Sequence, residues 1–179
     1  IIITCDSGAE AVKKTVAKFL SKKIRINLLT SGLLYRYVAN ELLISKKRTT
    51  NVSFLKKIIK NINSKLLKNP KLYSPQVTNY TQKIAKIKKV RLMLRGYQKK
   101  FSKKRLVILE GRDMGILFPN ADVKIFLKCS LKVAAKRRLK EFKKANKKIT
   151  LKMVKKQLGC VITLIPRVNF RLYVSLKVL

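Results

Sequence analysis

Residues with the chemistry of a binding site follow a short apolar run in the second half of the chain. The run at residues 106–109 leads directly into Glu110-Gly-Arg112-Asp113. Such a run, ended by a glycine turn, indicates a buried strand of a parallel sheet. Open parallel sheets bind ligands at the carboxyl ends of their strands, so these charged side chains are expected at a ligand site. Taken alone, the segment also fits a solvated turn after a strand.

A second candidate site lies near the beginning of the chain. Residues 1–5 are apolar and β-branched, and apolar residues take up helical spacing from Thr15 onward. The loop between them, from Asp6, has the length and the terminal Lys and Thr of a phosphate-binding loop. In such loops glycines let backbone N–H groups close on phosphate oxygens, Lys reaches the outer phosphates and Thr binds Mg²⁺. Because Gly8 is its only glycine, an ordinary strand–helix turn remains an alternative.

The residue types that are absent or rare exclude several kinds of chemistry. The chain has no histidine, which excludes histidine general bases, histidine metal ligands and Ser-His-Asp catalysis. The three cysteines, Cys5, Cys129 and Cys160, form no Cys-x-x-Cys pair, and buried free thiols in a reducing compartment are expected. No apolar run has the length of a transmembrane helix, and the first residues lack a basic signal-peptide leader. We therefore expect a cytoplasmic protein.

The net charge of the chain is extreme. Its 179 residues, enough for one domain with a real core, carry 45 Lys and Arg against 7 Asp and Glu, a formal charge of +38. Such a field attracts polyanions, including nucleic acid. The lysines are spread along the whole chain, however, and Lys, Ile, Asn and Leu dominate as in proteins of AT-rich genomes. Both explanations stay open, and any nucleic-acid binding of this origin would be non-specific.

Strands and helices are expected to alternate along the chain. Gly32 marks an expected turn, and a loop is expected through Phe118-Pro119. One stripe of the helix within 77–101, formed by Arg91, Arg95 and Gln98, is expected to be solvated. Strands are expected at residues 1–5, 27–29, 106–109 and 121–129, and helices from residue 15, at 33–43, around 54–62, within 77–101, at 131–143 and at 147–158.

Several of these segments resemble bacterial cytidylate kinase, a P-loop nucleoside monophosphate kinase. The resemblance is carried in family order by residues 6–18, by Thr-Ser-Gly-Leu-Leu-Tyr-Arg at 30–36, by Val90-Arg91 through Gln98, by the glycine-flanked motif at 107–115, by 118–127 and by Ala-Lys-Arg-Arg at 135–138. It implies an α/β fold of three layers, the P-loop NTPase fold, in which helices flank a parallel sheet. It also implies a kinase core at 1–159 with a small NMP-binding insertion at about 37–98.

The resemblance implies an activity and a set of partners. The enzyme would transfer the γ-phosphoryl group of ATP to CMP or dCMP, giving CDP or dCDP, with Mg²⁺ as cofactor and as a monomer. Phosphoryl transfer depends on in-line positioning and on cations that neutralise developing charge, so a chain without histidine loses nothing.

The resemblance also assigns individual residues. Lys13 falls on the P-loop lysine and Thr15 on the Mg²⁺-binding hydroxyl. The expected catalytic cations are Lys13, Arg112 and Arg138, and Glu110 is expected to be structural or to hold the arginines of the site. The expected CMP ligands are Arg36, Arg91, Arg112 and Asp113, and the expected ATP-binding residues are Gly8, Ala9, Glu10, Ala11, Val12, Lys13, Lys14, Thr15 and Arg137.

The chain departs from the family pattern in the loop that should bind phosphate. Family glycines correspond to Glu10, Val12 and Lys14. Val12 places a branched Cβ where the backbone must approach phosphate, and Glu10 places a carboxylate that repels it. Thr30 replaces an acidic residue, and the loop after Gly115 is one residue short.

The last segment, residues 160–179, lacks the family's R-D-x-x-D-x-x-R-x-x-S-P-L motif. Back-translation from the third base of the Cys160 codon permits R-D-Y-T-D-S-K-R-K-F-S-P-L, which carries every fixed position. We therefore predict a frameshift at residues 158–160 and an out-of-frame tail that docks poorly. Two alternatives to an active kinase follow: a basic nucleic-acid-binding protein, and a catalytically dead relic that keeps the fold.

Overall fold

The computed structural model describes residues 1–7 and 13–127 together with Lys136 and Leu139. Residues 1–7 and 13–127 form four strands and six α-helices, with four consecutive α-helices between the second and third strands and two short 3-10 turns at Leu66–Lys68 and Pro70–Tyr73. The strands are β1 (Ile2–Ser7), β2 (Asn27–Thr30), β3 (Val107–Gly111) and β4 (Val123–Leu127). The helices are α1 (Lys13–Lys23), α2 (Ser31–Ser45), α3 (Val52–Lys60), α4 (Pro75–Ile84), α5 (Lys88–Ser102) and the short α6 (Met114–Leu117).

The four described strands form one parallel sheet in the order β2-β3-β1-β4. The central strands are therefore β3 and β1, which come from distant parts of the chain. Glu110 near the end of β3 lies in register with Cys5 of β1 on one side and Thr30 of β2 on the other. The carboxyl ends of the strands, where parallel sheets bind ligands, thus share one edge.

Alternate residues of β3 enter two separate cores, which defines three layers. Val107 and Leu109 pack with the apolar faces of α2 to α5, whereas Ile108 packs with Cys5 and Ala17 on the opposite face. All five residues of β3 are buried, as expected for a parallel strand that is covered on both sides. The α/β prediction with helices on both faces of a parallel sheet is confirmed.

Sequence spacing was wrong about some element boundaries. The helical run expected within residues 77–101 forms as α5, but the apolar pattern continued wrongly through Ile84 and Ile87, because α4 ends at Ile84 and α5 begins only at Lys88. Gly32 lies in the first turn of α2 and marks no turn. Where a loop was expected before Phe118, the short helix α6 forms. Ser74 supplies a signal for the start of α4, since its hydroxyl accepts the Val77 N–H and a proline follows it.

The predicted amphipathic helix is confirmed as α3. The Asn51 side chain caps it by accepting the Phe54 N–H at 3.0 Å, and the helix buries Leu55, Ile58 and Ile59. Among the described helices, none is long and apolar enough to cross a membrane. Of the helix predicted at 131–143 the structure describes only Lys136 and Leu139, both helical. The helix predicted at 147–158, Cys129, Cys160 and the tail lie outside the described residues, and the limits of the insertion stay a prediction.

Candidate active site at the carboxyl edge of the sheet

Asp6, at the end of β1, organises the loop that follows β3. Its side chain is 1% exposed and accepts two backbone N–H groups, from Met114 at 3.0 Å and from Gly115 at 2.6 Å. Burial raises the pKa of the Asp6 carboxyl, and these two hydrogen bonds oppose the rise. Asp6 thereby fixes the backbone directly after Asp113. Sequence reasoning treated Asp6 only as a turn residue, although an acid at a strand end in so basic a chain was a signal.

Glu110 faces the lysine of the predicted phosphate loop. Its Oε1 lies 3.8 Å from Lys13 Nζ, whereas its Oε2 has no hydrogen-bond partner among the described residues. Burial raises the pKa of the Glu110 carboxyl, while the Lys13 ammonium and then the Thr30 hydroxyl lower it. In the described residues, Glu110 therefore pairs with a lysine, and the expectation that it holds the arginines of the site is not met.

Thr30, which replaces an acidic residue of the family pattern, acts on Glu110. Thr30 lies opposite Glu110 in the sheet register, and Glu110 is 4% exposed. A carboxylate at position 30 would bring a second negative charge to a buried carboxyl, which raises the free energy of both charged forms. The threonine hydroxyl lowers the pKa of Glu110 instead.

Arg91 and Asp113, both predicted to bind CMP, form an ion pair. Arg91 Nη2 of α5 lies 3.0 Å from Asp113 Oδ2 in the loop after β3, and both side chains are partly exposed. Burial raises the pKa of the neighbouring Tyr35 hydroxyl, and the charges of Arg91 and Asp113 act on it in opposite directions. The ion pair thus joins α5 to the loop that Asp6 holds.

The stripe on α5 is not simply a solvated surface. Gln98, one of its three members, is 1% exposed and donates a hydrogen bond to the Ser31 hydroxyl at 2.7 Å. Ser31 begins α2, immediately after β2. Because both groups are buried, this hydrogen bond fixes α5 against the first turn of α2, and sequence reasoning missed it.

Arg36, also predicted to bind CMP, is held between α2 and the start of α4. Its Nη1 donates to the Leu72 carbonyl and to the Thr78 hydroxyl, both at 2.8 Å. Its guanidinium carbon lies 5.1 Å from the centre of the Tyr73 ring. The position of Arg36 therefore depends on the segment at residues 72–78, which the sequence did not link to this arginine.

The remaining predicted ligands have different environments. Arg112 is exposed on the loop after β3, and Thr15 is exposed in the first turn of α1. Lys14 donates a hydrogen bond to the Tyr73 hydroxyl at 2.5 Å. The predicted ATP ligands Gly8, Ala9, Glu10, Ala11, Val12 and Arg137, and the predicted catalytic Arg138, lie outside the described residues.

The described residues fit a Mg²⁺ ion that is held mainly by phosphate and water. They contain no cluster of three Cys, Asp or Glu side chains that could form a protein cage for a metal. The exposed Thr15 hydroxyl offers a hard oxygen donor on the first turn of α1. Mg²⁺ is commonly bound through few protein oxygens together with substrate phosphates, so this donor set is sufficient.

Comparison with known proteins identifies the family. Residues 3–159 match the family described as Cytidylate kinase. A cytidylate kinase of Fusobacterium nucleatum is 35% identical over 169 residues, covering 88% of this chain and 78% of that protein. Those of Clostridioides difficile and Clostridium botulinum strain Hall are 33% and 32% identical, covering 86% and 88% of this chain and 76% and 78% of theirs. Together with the parallel sheet and the paired side chains at its carboxyl edge, these matches show that the chain belongs to the cytidylate kinase family.

Proposed function

We propose that this protein transfers the γ-phosphoryl group of ATP to CMP or dCMP. The observation that carries the proposal is the pair of contacts at the carboxyl edge of the sheet. Lys13, at the start of α1, lies 3.8 Å from Glu110, and Arg91 lies 3.0 Å from Asp113 in the loop that continues β3. A lysine for the donor phosphates and an arginine–carboxylate pair for the acceptor are thus linked through one strand and its following loop.

The proposed reaction moves one phosphoryl group between two oxygens. The bond from the γ-phosphorus to the bridging oxygen of ADP breaks, and a bond to an oxygen of the CMP phosphate forms, giving ADP and CDP. Lys13 neutralises charge on the donor phosphates, helped by the positive end of α1. Glu110 Oε1 lies 3.8 Å from the Lys13 ammonium, so the donor phosphates must compete with this carboxylate for the same cation.

The acceptor is bound by arginines that reach it from different elements. Arg36 of α2, Arg91 of α5 and Arg112 after β3 supply the positive charge for the CMP phosphate. Guanidinium groups suit this role because they bind phosphate oxygens through two parallel hydrogen bonds. Asp113 orients Arg91 through their ion pair and accepts hydrogen bonds from the cytosine amino group.

Thr15 is the proposed protein ligand of Mg²⁺. When bound, Mg²⁺ neutralises charge on the phosphate oxygens of ATP and orients them for in-line transfer. Thr15 contributes one hydroxyl oxygen from the first turn of α1, two residues after Lys13.

A coupled assay for CMP-dependent ATP consumption tests the proposal. We expect turnover with CMP or dCMP that exceeds turnover with AMP or UMP. Lys13→Met should reduce kcat by about 10²-fold or more, since it removes an electrostatic contact to the transferring group. Arg91→Ala should raise the KM for CMP about tenfold, whereas Arg48→Ala, which removes an exposed arginine outside the site, should change neither constant.

Absence of CMP-dependent turnover would favour the catalytically dead relic. A measurement of CMP binding then separates a relic that still binds its substrate from a protein that is not a cytidylate kinase at all. A protein that binds CMP without turnover has lost only catalysis, whereas a protein that binds neither nucleotide contradicts the proposed function altogether.

A second property, non-specific binding of single-stranded nucleic acid, is favoured by a groove between α3 and α5. The groove has a volume of about 530 Å³. Tyr97 and Phe101 line it together with four lysines: Lys56, Lys60, Lys100 and Lys104. Aromatic rings for base stacking beside cations for phosphate are the elements of such sites. We expect binding that falls steeply as the salt concentration rises. Binding that is absent, or that does not depend on salt, would indicate that the +38 charge reflects amino-acid composition and not a nucleic-acid-binding surface.

The cellular setting is also a proposal. The buried free thiol of Cys5 supports the expected reducing, cytoplasmic location. Burial raises its pKa to about 12, and the Glu110 and Asp6 carboxylates add to this rise, so the thiol is unreactive at neutral pH. The monomeric state stays a prediction.

A further inference from the structure

Gly96 lies in the middle of α5, although neither the backbone nor the packing requires a glycine there. Apart from proline, glycine is the residue that destabilises a helix interior most. No described glycine has a positive φ. Outside its own chain neighbours and helix backbone, a Cβ added at Gly96 would meet no atom of the described residues within 4 Å. A side chain would therefore fit at this position, and the space that it would fill is open.

The open space at Gly96 belongs to the groove between α3 and α5, whose volume is about 530 Å³. Gly96 and Tyr97 line the groove together with the apolar side chains of Ile59, Ile62 and Met93. Ligand sites are typically concave, of this size and lined mainly by apolar and aromatic side chains. The missing side chain of Gly96 thus leaves a slot in the groove, at the residue that precedes an aromatic ring.

The two aromatic rings of the groove are not equivalent. Lys104 Nζ lies 4.6 Å from the centre of the Phe101 ring, so one face of that ring already holds a cation. In residues 1–7 and 13–127, the cation–π contacts leave the Tyr97 ring without a cation. Tyr97 is only partly buried. A flat ring that enters the groove would therefore stack on Tyr97 in preference to Phe101.

The lysines of the groove come from both of the helices that form it. Lys56 and Lys60 lie one turn apart on α3. Lys100 lies on α5, and Lys104 lies just beyond its end. The ion pairs found in the described part of the chain use other cations, so these four charges are left for an anion from solution. Positive charge on both sides of an apolar floor suits a ligand with an anionic group on each side of a flat ring.

We propose that the groove holds one unpaired base of a nucleic-acid single strand, stacked on Tyr97 in the slot left by Gly96. A nucleotide within a strand has a phosphate on each side of its base, as the lysines on both helices require, whereas a free mononucleotide has phosphate on one side only. A base inside a duplex must leave its stack before it can enter such a slot. Resting on the proposed nucleic-acid binding, this assignment makes Gly96 the residue that selects unpaired bases.

Fluorescence anisotropy with a labelled oligothymidylate of about 12 nucleotides, and with a labelled duplex of the same length, tests the slot. Gly96→Leu fills the slot and should weaken binding of the single strand about tenfold, the effect of losing one stacked base. Binding of the duplex, which uses the lysines alone, should not change. Tyr97→Leu should reproduce this difference between strand and duplex, whereas Phe101→Leu should weaken binding of the single strand less.

Two controls separate the slot from added bulk and from charge. Gln82→Leu adds a leucine on the exposed side of α4 and should change neither affinity. Lys60→Met, which removes a lysine of the groove, should weaken binding of strand and duplex alike. Lys57→Met removes an exposed lysine of α3 that does not line the groove and should have less effect on both.

The outcomes distinguish failure of the slot from failure of nucleic-acid binding. Unchanged single-strand affinity in Gly96→Leu, or an equal loss for strand and duplex, would overturn the slot. Displacement of the strand by thymidine monophosphate at an equal concentration of nucleotides would overturn it in favour of a free nucleotide. If Gly96→Leu does not fold, Tyr97→Leu decides. An unsubstituted protein that binds neither strand nor duplex contradicts the proposed nucleic-acid binding itself, and CMP-dependent turnover, which Gly96→Leu should leave unchanged, is measured separately.

Discussion

At the scale of single residues, the site depends on two buried carboxylates. Asp6 accepts two backbone N–H groups, and Glu110 faces the Lys13 ammonium. Burial disfavours the charged form of each and raises the pKa of each. Burying carboxylates of this kind costs stability unless their contacts compensate, as the two N–H groups do for Asp6 and the Lys13 ammonium does for Glu110.

The cost of the Glu110 charge should appear as a pH dependence of stability. The folded protein binds the proton of the Glu110 carboxyl more tightly than the unfolded chain does. The protonated carboxyl therefore contributes to the free energy of unfolding below its ordinary pKa of 4.5, and this contribution is lost as pH rises through the higher folded pKa. Glu110→Gln has no charge to bury. The free energy of unfolding of Glu110→Gln should therefore increase relative to that of the unsubstituted protein as pH rises above 4.5, by about 1.4 kcal/mol per unit of pKa difference.

Denaturant unfolding at several pH values measures this gain. Glu41→Gln, a change of the same kind on α2 and outside the site, is the control. A Glu110→Gln difference that stays constant with pH would show that the folded protein does not raise this pKa.

Asp6→Asn should loosen the loop that carries Arg112 and Asp113. An amide oxygen can replace one acceptor, but the amide nitrogen leaves the second of two buried N–H groups unpaired, at about 1–3 kcal/mol. We expect lower stability and a higher KM for CMP. Asp122→Asn is the matched control, because Asp122 accepts the Ile2 N–H at the opposite end of the sheet and should leave the KM unchanged. A normal KM in Asp6→Asn would show that the loop holds its shape without the second acceptor.

At the scale of elements, the position of α5 joins the fold to the site. One end of the helix carries Arg91, paired with Asp113, and the other carries Gln98, bonded to Ser31 at the start of α2. The aligned apolar residues predicted a helix here but also ran through the break at residues 85–87, since Ile84 and Ile87 continue the pattern. Helix ends depended on caps such as Ser74, which apolar spacing does not report.

The Gln98–Ser31 hydrogen bond should be measurable as a coupling. Gln98→Leu leaves the buried Ser31 hydroxyl without this partner and should cost about 1–3 kcal/mol of unfolding free energy. Adding Ser31→Ala should restore part of the loss, because an apolar pair can replace a hydrogen-bonded pair. Gln82→Leu, on the exposed side of α4, is the control. Strict additivity of the two single changes would mean that the hydrogen bond contributes nothing to stability.

At the scale of the whole molecule, the family match and the predicted frameshift meet at one position. The match covers residues 3–159, and the tail that lacks the family motif begins at Cys160. This coincidence supports the proposal that residues 160–179 are translated out of frame. If they are, the arginine and aspartate ligands that the family motif would supply for the acceptor are missing from this chain.

A chain with the tail restored to R-D-Y-T-D-S-K-R-K-F-S-P-L should be the more active form. We expect kcat/KM for CMP to rise at least about tenfold, since the restored arginines add charge-assisted contacts to phosphate. The same coupled assay run on both chains measures this. Equal activity would show that the present tail is functional, and a nucleotide sequence that does not encode the motif in its shifted frame would refute the frameshift directly.

The sequence by itself determined the order of the four strands, the parallel sheet and the family, because these depend on local apolar patterns and on motifs of consecutive residues, whereas it missed α6 and the break between α4 and α5. It also predicted that Arg91 and Asp113 belong to one site. Only the tertiary structure decided which side chains meet. Asp6 and Gly115 are 109 positions apart and Lys14 and Tyr73 are 59 apart, and the sheet order β2-β3-β1-β4 with its covering helices brings them together. Glu110-Gly-Arg112-Asp113 lies beside the ends of β1 and β2 because β3 is placed between these strands, a placement that no local pattern encodes.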